Sequence, residues 1–484
     1  MTTALAHRAA VRSVVPWLVF ALVLTVSWSV TRGLEVQERL VLVIYAGALA
    51  AWCLALSEDW ITGALAVLML AALDVIAIRE IVAAARHDLV WLLIAAYVIA
   101  FAIRRAGLFE VLSAFALRRS MPVSSLAYRT TALVMATAFV FPATSVRAAI
   151  LVPIHRMLAK AVDDELTDRA FALLVPSVVL LSAGGVLTGA AAHVVALEII
   201  EKSGGGRIGY LGWMLPALPV ALATSFAAAW LVMRLFLDHD RRRRLICASS
   251  GTHGRLGAVR VGMLSVVAAT VALWMASGWL GIGLAGVGLL SAFCLVLLTS
   301  RLQPLAIGDM GRAIDWKLLV LLVSTVLLAD AMVASGAAGT IGAGLMAALP
   351  HAVLASEAAT VALIACLSML AHVVIPSRSA RASVLITAIA VPLSQTGFDI
   401  VPLALVIALG TGFCQLTPYG AKSLLIFASG TDSGSFRSDL VRLGAPLFLI
   451  SWIILVGFAL VLWPAIGMFS AAGGNEVGGS AFNP

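Results

Sequence analysis

Charge is what this 484-residue sequence lacks. Acidic and basic side chains together make up 12% of it, about half of the roughly 25% that covers a soluble globular domain. A water-soluble enzyme of this length is thereby excluded. Cysteine pairs are missing too. The five cysteines, Cys53, Cys247, Cys294, Cys366 and Cys414, stand singly and four lie inside apolar runs, which excludes a disulfide frame or a metal knuckle. The sequence has no H-x-x-x-H pair, no Walker-type glycine loop after a strand and no G-x-S-x-G elbow. Its basic residues form no stripe interleaved with aromatics, so nucleic acid is not an expected partner. The 40 glycines follow no three-residue period, and collagen-like structure goes as well.

What is present is apolar: 62% of the residues are hydrophobic. They fall in continuous runs of about 17–25 residues, the length that crosses a bilayer as helix, and not in the short alternating strands of a barrel. The expected fold is an all-α polytopic membrane protein with about 11 transmembrane helices. The spans fall near 14–30, 40–56, 60–78, 89–103, 170–200, 209–237, 259–277, 279–299, 317–334, 399–430 and 440–466. The first reads as a retained helix, with Trp17 and Trp28 near its ends and no cleavage site. Two further stretches, 123–158 and 352–394, are each interrupted by a polar knot, Pro142–Arg147 and Pro376–Arg381. A stretch that breaks at membrane depth and returns to its own side is a re-entrant hairpin.

The distribution of Lys and Arg orients the chain with its N-terminus in the cytoplasm. Arg104, Arg105, Arg118, Arg119, Arg156, Lys160, Arg169, the Arg241–Arg244 run, Arg255, Arg260, Arg301, Arg312, Arg437 and Arg442 then fall inside. Arg32, Arg39, Arg79, Arg86, Lys202 and Arg207 fall outside. This asymmetry holds only if the first hairpin opens inward and the second outward, which predicts an inverted repeat. The repeat is legible: Pro142-Ala-Thr-Ser-Val-Arg-Ala-Ala-Ile-Leu151 aligns without gaps with Pro376-Ser-Arg-Ser-Ala-Arg-Ala-Ser-Val-Leu385 and shares Pro, Ser, Arg, Ala and Leu. The chain then divides into an N-terminal segment with the first helix (1–38), a first repeat (39–237), a basic cytoplasmic loop (238–258), a second repeat (259–466) and a flexible tail (467–484).

Each knot sets Ser and Arg beside a helix start, where free N–H groups and the positive dipole end attract anions. Ser145, Ser377 and Ser379 add hydroxyl donors. Arg147 and Arg381, at matching positions, add two-pronged donors suited to a carboxylate or other oxyanion. Arg378 is a third cation, facing Thr144 in the alignment, and Lys422 a fourth; ionisable groups at this depth are costly and mark function. Two longer spans also break, at Ser182–His193 and at Gly410–Gly420. Unwound backbone there can line a cavity or bind a cation. Gly184, Gly185, Thr188 and Gly410 are therefore coupling-ion candidates, and Thr417, Pro418 and Gly420 candidates for the substrate. His193 and His372 read as packed histidines.

Over roughly residues 40–466 the pattern resembles the divalent anion:sodium symporter family, within the wider ion-transporter superfamily. The likeness lies in the tryptophan-led, glycine-ended helix before each hairpin (Trp91 to Gly107, Trp316 to Gly336), the hairpins and the broken helices. Family members carry Ser-Asn-Thr at each hairpin tip. Here Ala143-Thr144-Ser145, with Pro153 eight residues on, and Ser377-Arg378-Ser379 occupy the motif. Gly184-Gly185-Val-Leu-Thr188 keeps the family's Gly-Gly-x-x-Thr, while Pro418-Tyr-Gly420 keeps part of its second break. The resemblance implies a homodimer with elevator-type alternating access, and adds Ala143 to the coupling-ion candidates. Arginine stands where a later threonine usually stands in each hairpin, and a guanidinium near a sodium site repels that ion and supplies its charge.

The function expected is secondary active transport of a small organic anion, a di- or tricarboxylate, across the inner (plasma) membrane. Alternatives are an inorganic oxyanion (sulfate-like) carrier, a sodium-independent anion exchanger and, less favoured, a membrane-embedded enzyme. No cofactor or metal is expected beyond a sodium ion, and the coupling ion stays open between sodium and proton.

Overall fold

A computed structural model of the chain describes all residues except 1, 55, 109–119, 247–256, 349–355, 376, 418–419, 429–432 and 466–484. The tail and the middle of the basic loop, both singled out by sequence, lie outside the described residues. Among those described, helix dominates, and the one sheet is a two-stranded ladder of Met121–Pro122 against Leu245–Ile246.

Among the described residues, seven helices are long and apolar enough to cross a bilayer, or eight if Ile78–Ala85 and Asp88–Arg105, bent by 41°, form one span. The sequence reading expected about 11. The difference has identifiable causes. The run at 170–200 is split into Glu165–Ala183 and Ala191–Lys202, and the run at 399–430 into Ile400–Gly410 and Lys422–Ala428. The run at 60–78 coils into only 14 residues, Asp59–Ala72, and Asp74 just beyond it adopts a left-handed φ of 55°. The run at 279–299 yields the 17 residues Leu284–Ser300, after Gly281 in the left-handed region has closed the preceding helix. Of these pieces Glu165–Ala183 keeps the length of a crossing, and the others are shorter than one.

Both interrupted stretches fold as helical hairpins. In the first, Val123–Ala136 tightens into the 3-10 turn Thr137–Phe139 and returns as Thr144–Val162. In the second, Glu357–Leu370 tightens into Ala371–Val373 and returns as Arg378–Leu385. The second return helix widens into a π-turn, Ile386–Ala390, just before Pro392, a residue with no N–H to offer the carbonyl one turn back. The arginines of both knots lie inside the returning helices and Pro142 lies on the loop side of the first; Pro376 lies outside the described residues.

Large aromatics fix the packing between elements. Trp52, Trp213 and Trp463 are fully buried. Their indole N–H groups donate to the carbonyls of Asp59 (3.1 Å), Gly184 (3.0 Å) and Pro216 (3.1 Å), as a buried tryptophan requires. Arg241 ties the start of the basic segment to the first broken span. Arg241 pairs with Asp238 (2.5 Å) and lies 3.4 Å from Asp164, which caps the first broken span by accepting from the Thr167 N–H. The Thr167 hydroxyl, foremost, holds the Asp164 carboxyl below its ordinary range.

Candidate anion site and its arginines

Arg147 and Arg381 sit at the same point of their helices. The backbone N–H of Arg147 donates to the carbonyl of Ala143 (3.0 Å), and that of Arg381 to the carbonyl of Ser377 (2.9 Å). Each therefore closes the first helical turn. Side chains on a helix lean toward its N-terminus, so both guanidinium groups reach back to the hairpin tip and across to the neighbouring break.

Arg147 has no exposed surface. Its Nε donates to the Thr137 hydroxyl (3.0 Å) and Nη1 to the carbonyl of Val179 (3.0 Å), while Nη2 donates to the carbonyl of Val134 and the hydroxyl of Ser182, both at 2.8 Å. Val134 lies in the last turn of Val123–Ala136, and Val179 and Ser182 lie near the end of Glu165–Ala183, just before the first break. The Val134 carbonyl also accepts from the Thr137 hydroxyl (2.5 Å). Arg381, equally buried, donates to the carbonyls of Ile375 (2.7 Å), Thr411 (2.9 Å) and Gly420 (3.4 Å) and to the Cys414 sulfur (2.8 Å). In both halves one guanidinium joins a hairpin tip to the broken span behind it. Neither lies open to an anion in this conformation, contrary to the direct-ligand role expected from sequence.

Arg378 behaves differently. It opens the second return helix and is only partly buried. Its guanidinium crosses to the other half, where Nη2 lies 3.0 Å from Nε2 of His193 and Nη1 3.4 Å from the carbonyl of Leu180. It also rests on Gly412 of the second break: a Cβ added there would lie 3.0 Å from Nη2. Arg378 thus sits between both broken spans, although its place in the first repeat is taken by Thr144. Thr144 and Ser145, in the first turn of the opposing return helix, are half-buried, as is Ser377. Ser377 caps its own helix by accepting from the Ala380 N–H (3.4 Å), and Ser379 is buried.

The other sequence candidates scatter. Ala143 is the cap residue of the first return helix. The carbonyl of Gly184 accepts from the Trp213 indole, Gly185 packs against Ala221 and Leu218, and Thr188 is buried in the first break. Gly410 serves close approach, since a Cβ there would meet the Ser368 hydroxyl at 2.0 Å. Gly420 is buried against His372 and Cys414. Thr417 is half-buried, and Pro418 lies outside the described residues. Lys422 is exposed. Its charge is felt at Glu58, whose carboxyl is held low first by its bond to Lys317. Glu198 pairs with His87 (2.9 Å) and Asp330 with Lys202. Among the described residues, no cluster of His, Cys, Asp or Glu could hold a metal ion.

Sequence reasoning missed Thr137, Ser182 and Cys414 as arginine acceptors and His193 as a neighbour of Arg378. Ser182 and Cys414 lay inside the glycine-rich breaks and were within reach of it. The Trp213 contact carries no local signal.

An all-helical membrane protein with paired hairpins and broken spans is the architecture of a transporter. A family model described as the sodium:sulfate symporter transmembrane region matches residues 9–469, and the chain belongs to that family. It is a family of transport proteins, not of enzymes. The citrate/succinate antiporter of Escherichia coli (strain K12) is 26% identical over 304 residues, 60% of this chain and 58% of the antiporter. A membrane protein of Cupriavidus necator is 24% identical over 357 residues, 70% of this chain and 67% of that protein. The chain thus spans less than two thirds of the antiporter's length. Among solved structures, the YdaH transporter of Alcanivorax borkumensis superposes with a TM-score of 0.55 at 15% identity, covering 81% of this chain and 87% of that one. That likeness shows the fold alone.

Proposed function

We propose that the protein is a sodium-independent exchanger of small di- or tricarboxylates. Arg147 and Arg381 act as built-in cations, and Arg378, with Thr144, Ser145 and Ser377, forms the anion site. The observation that carries this reading is the bonding of the two buried arginines. Carbonyl and hydroxyl oxygens at a break in a membrane span are what a transporter offers a coupling cation. Here those of Val179, Ser182 and Thr411 already accept from a guanidinium. A carrier whose positive charge is covalently fixed needs no sodium to neutralise an incoming dianion. It has reason to return only when loaded with another anion, because the empty site would cross the membrane with its cations uncompensated.

The substrate class rests on the forked donor of Arg378, which suits a carboxylate, and on the 26% identity to a citrate/succinate antiporter. Sulfate is the rival cargo, favoured by the description of the family model. The site would be exposed to each side in turn by movement of the hairpins and broken spans against the remaining helices. We place the protein in the inner membrane as a homodimer with its N-terminus in the cytoplasm and the two halves as inverted repeats. The matched bonding of Arg147 and Arg381 supports the repeat, and the inside excess of Lys and Arg supports the orientation.

Counterflow tests the proposal. Proteoliposomes loaded with citrate should accumulate labelled succinate, and empty vesicles should not. Equal uptake by empty vesicles, or exchange of sulfate alone, overturns it.

A further inference from the structure

We infer that His193 is a positioning residue for Arg378, acting as a neutral hydrogen-bond acceptor that holds the guanidinium across the interface between the two broken spans. The inference rests on the reading of Arg378 as the anion-binding cation. The tautomer follows from the partners. Nδ1 of His193 lies 3.0 Å from the carbonyl of Val186. A carbonyl only accepts, so Nδ1 carries the proton. Nε2 lies 3.0 Å from Nη2 of Arg378, and a guanidinium only donates, so Nε2 offers its lone pair. A histidine bonded in both directions like this is neutral.

The ring is built in rather than merely adjacent. His193 has no exposed surface. One face lies on Trp213, with ring centroids 4.9 Å apart and planes at 30°. The indole of Trp213 is itself fixed by donating to the carbonyl of Gly184 (3.0 Å). Gly184 and Val186 both belong to the first break, so the unwound backbone grips the imidazole through two separate contacts. The imidazole in turn takes up one N–H of Arg378, and the carbonyl of Leu180 takes up another. Among the described residues the Nε of Arg378 has no partner. A cation this long would otherwise be free to choose among rotamers. Fixing one edge of the guanidinium leaves its remaining donors in one place, which is what a two-pronged grip on a carboxylate needs.

Two near-isosteric variants separate the two bonds of the ring. In H193N the side-chain amide can still donate to Val186 but does not reach Arg378. In H193Q the longer side chain puts an oxygen near the position of Nε2, and the acceptor for Arg378 is kept. Initial-rate exchange with succinate as probe should show half-saturation raised about tenfold or more in H193N, with maximal rate changed little, and largely restored in H193Q. A second measurement needs no substrate: the melting temperatures of wild type, H193N, R378A and the double variant in detergent. Positioning predicts non-additivity, with H193N costing little once Arg378 is gone. Additive losses, or equal impairment of H193N and H193Q, overturn the inference. If the melting cycle is non-additive but wild type binds neither succinate nor citrate, the positioning holds and the reading of the anion site fails.

Discussion

Nη2 of Arg147 lies 2.8 Å from the hydroxyl of Ser182, so the return helix of the first hairpin is bonded to the break in the span that follows it. Arg147 spends four hydrogen bonds on that junction. Removing the side chain strands buried acceptors, each at a cost of about 1–3 kcal/mol. Arg147→Ser should therefore lower the melting temperature in detergent. It also leaves four oxygens, from Val134, Thr137, Val179 and Ser182, around a space the size of a guanidinium. Sodium should then restore part of the lost stability, as it does not for wild type. Arg381→Ser should respond more weakly, because its acceptors include the Cys414 sulfur, a poor ligand for a hard cation. Melting curves in sodium against choline decide the matter; identical curves for all three proteins would count against a cation-shaped site.

Gly412 lets Arg378 lie flat on the second break. A methyl group there would sit 3.0 Å from Nη2 and 3.0 Å from the carbonyl of Leu409, closer than ordinary contact. Gly412→Ala should weaken apparent anion affinity several-fold and cost some stability, since the end of the arginine can yield but the Leu409 carbonyl is backbone. Gly189→Ala is the contrast. Its Cβ would meet the carbonyl oxygen of Ala183 at 2.3 Å, and backbone cannot give way, so this variant should lose folded protein. Yield after size-exclusion chromatography and half-saturation for succinate separate the two outcomes.

The C-terminal end of the first broken span is tied to its surroundings by Lys202–Asp330 and by His87–Glu198. If transport moves this span against Trp316–Ala334, a covalent link at Lys202 and Asp330 must stop it. Lys202→Cys with Asp330→Cys, joined by a short reducible crosslinker, should lose exchange and regain it on reduction. Full exchange by fully linked protein would show that these two helices move together.

The helices were legible because apolar runs of membrane length admit one reading, and the hairpins because a Pro-Ser-Arg knot at depth must be buried in protein. The repeat told that Arg147 and Arg381 do the same task. It did not tell which task. That depends on whether a guanidinium faces a cavity or a helix end, and Val179, Thr411 and Gly420 bind through backbone oxygen that any residue carries. Arg378 was the harder case, because Thr144 holds its place in the first knot and the aligned segments say nothing of where its guanidinium points. The tie between His193 and Arg378 spans 185 positions, and no local pattern announces it.

Asp164 joins the inner basic segment to the first broken span. Its carboxyl is held below its ordinary value, first by the Thr167 hydroxyl and also by Arg241. A depressed acid contributes stability that is fully present above its unfolded value of about 4 and is lost as pH falls through the folded value. Asp164→Ala should cost about 1 kcal/mol from the lost cap, and this deficit should stay constant from neutral pH down to about pH 5 and shrink in stronger acid. Thermal unfolding of both proteins across that range provides the check. A deficit that grows on acidification would reverse the sign.

The most direct test of the built-in cations is exchange of succinate for citrate in proteoliposomes with all sodium replaced by choline, alongside Arg147→Ser under the same conditions. Wild type should exchange at the same rate with and without sodium, and the variant should exchange slowly in choline and faster in sodium. A wild-type rate that rises steeply with sodium would mean that the guanidinium groups do not stand in for the coupling ion.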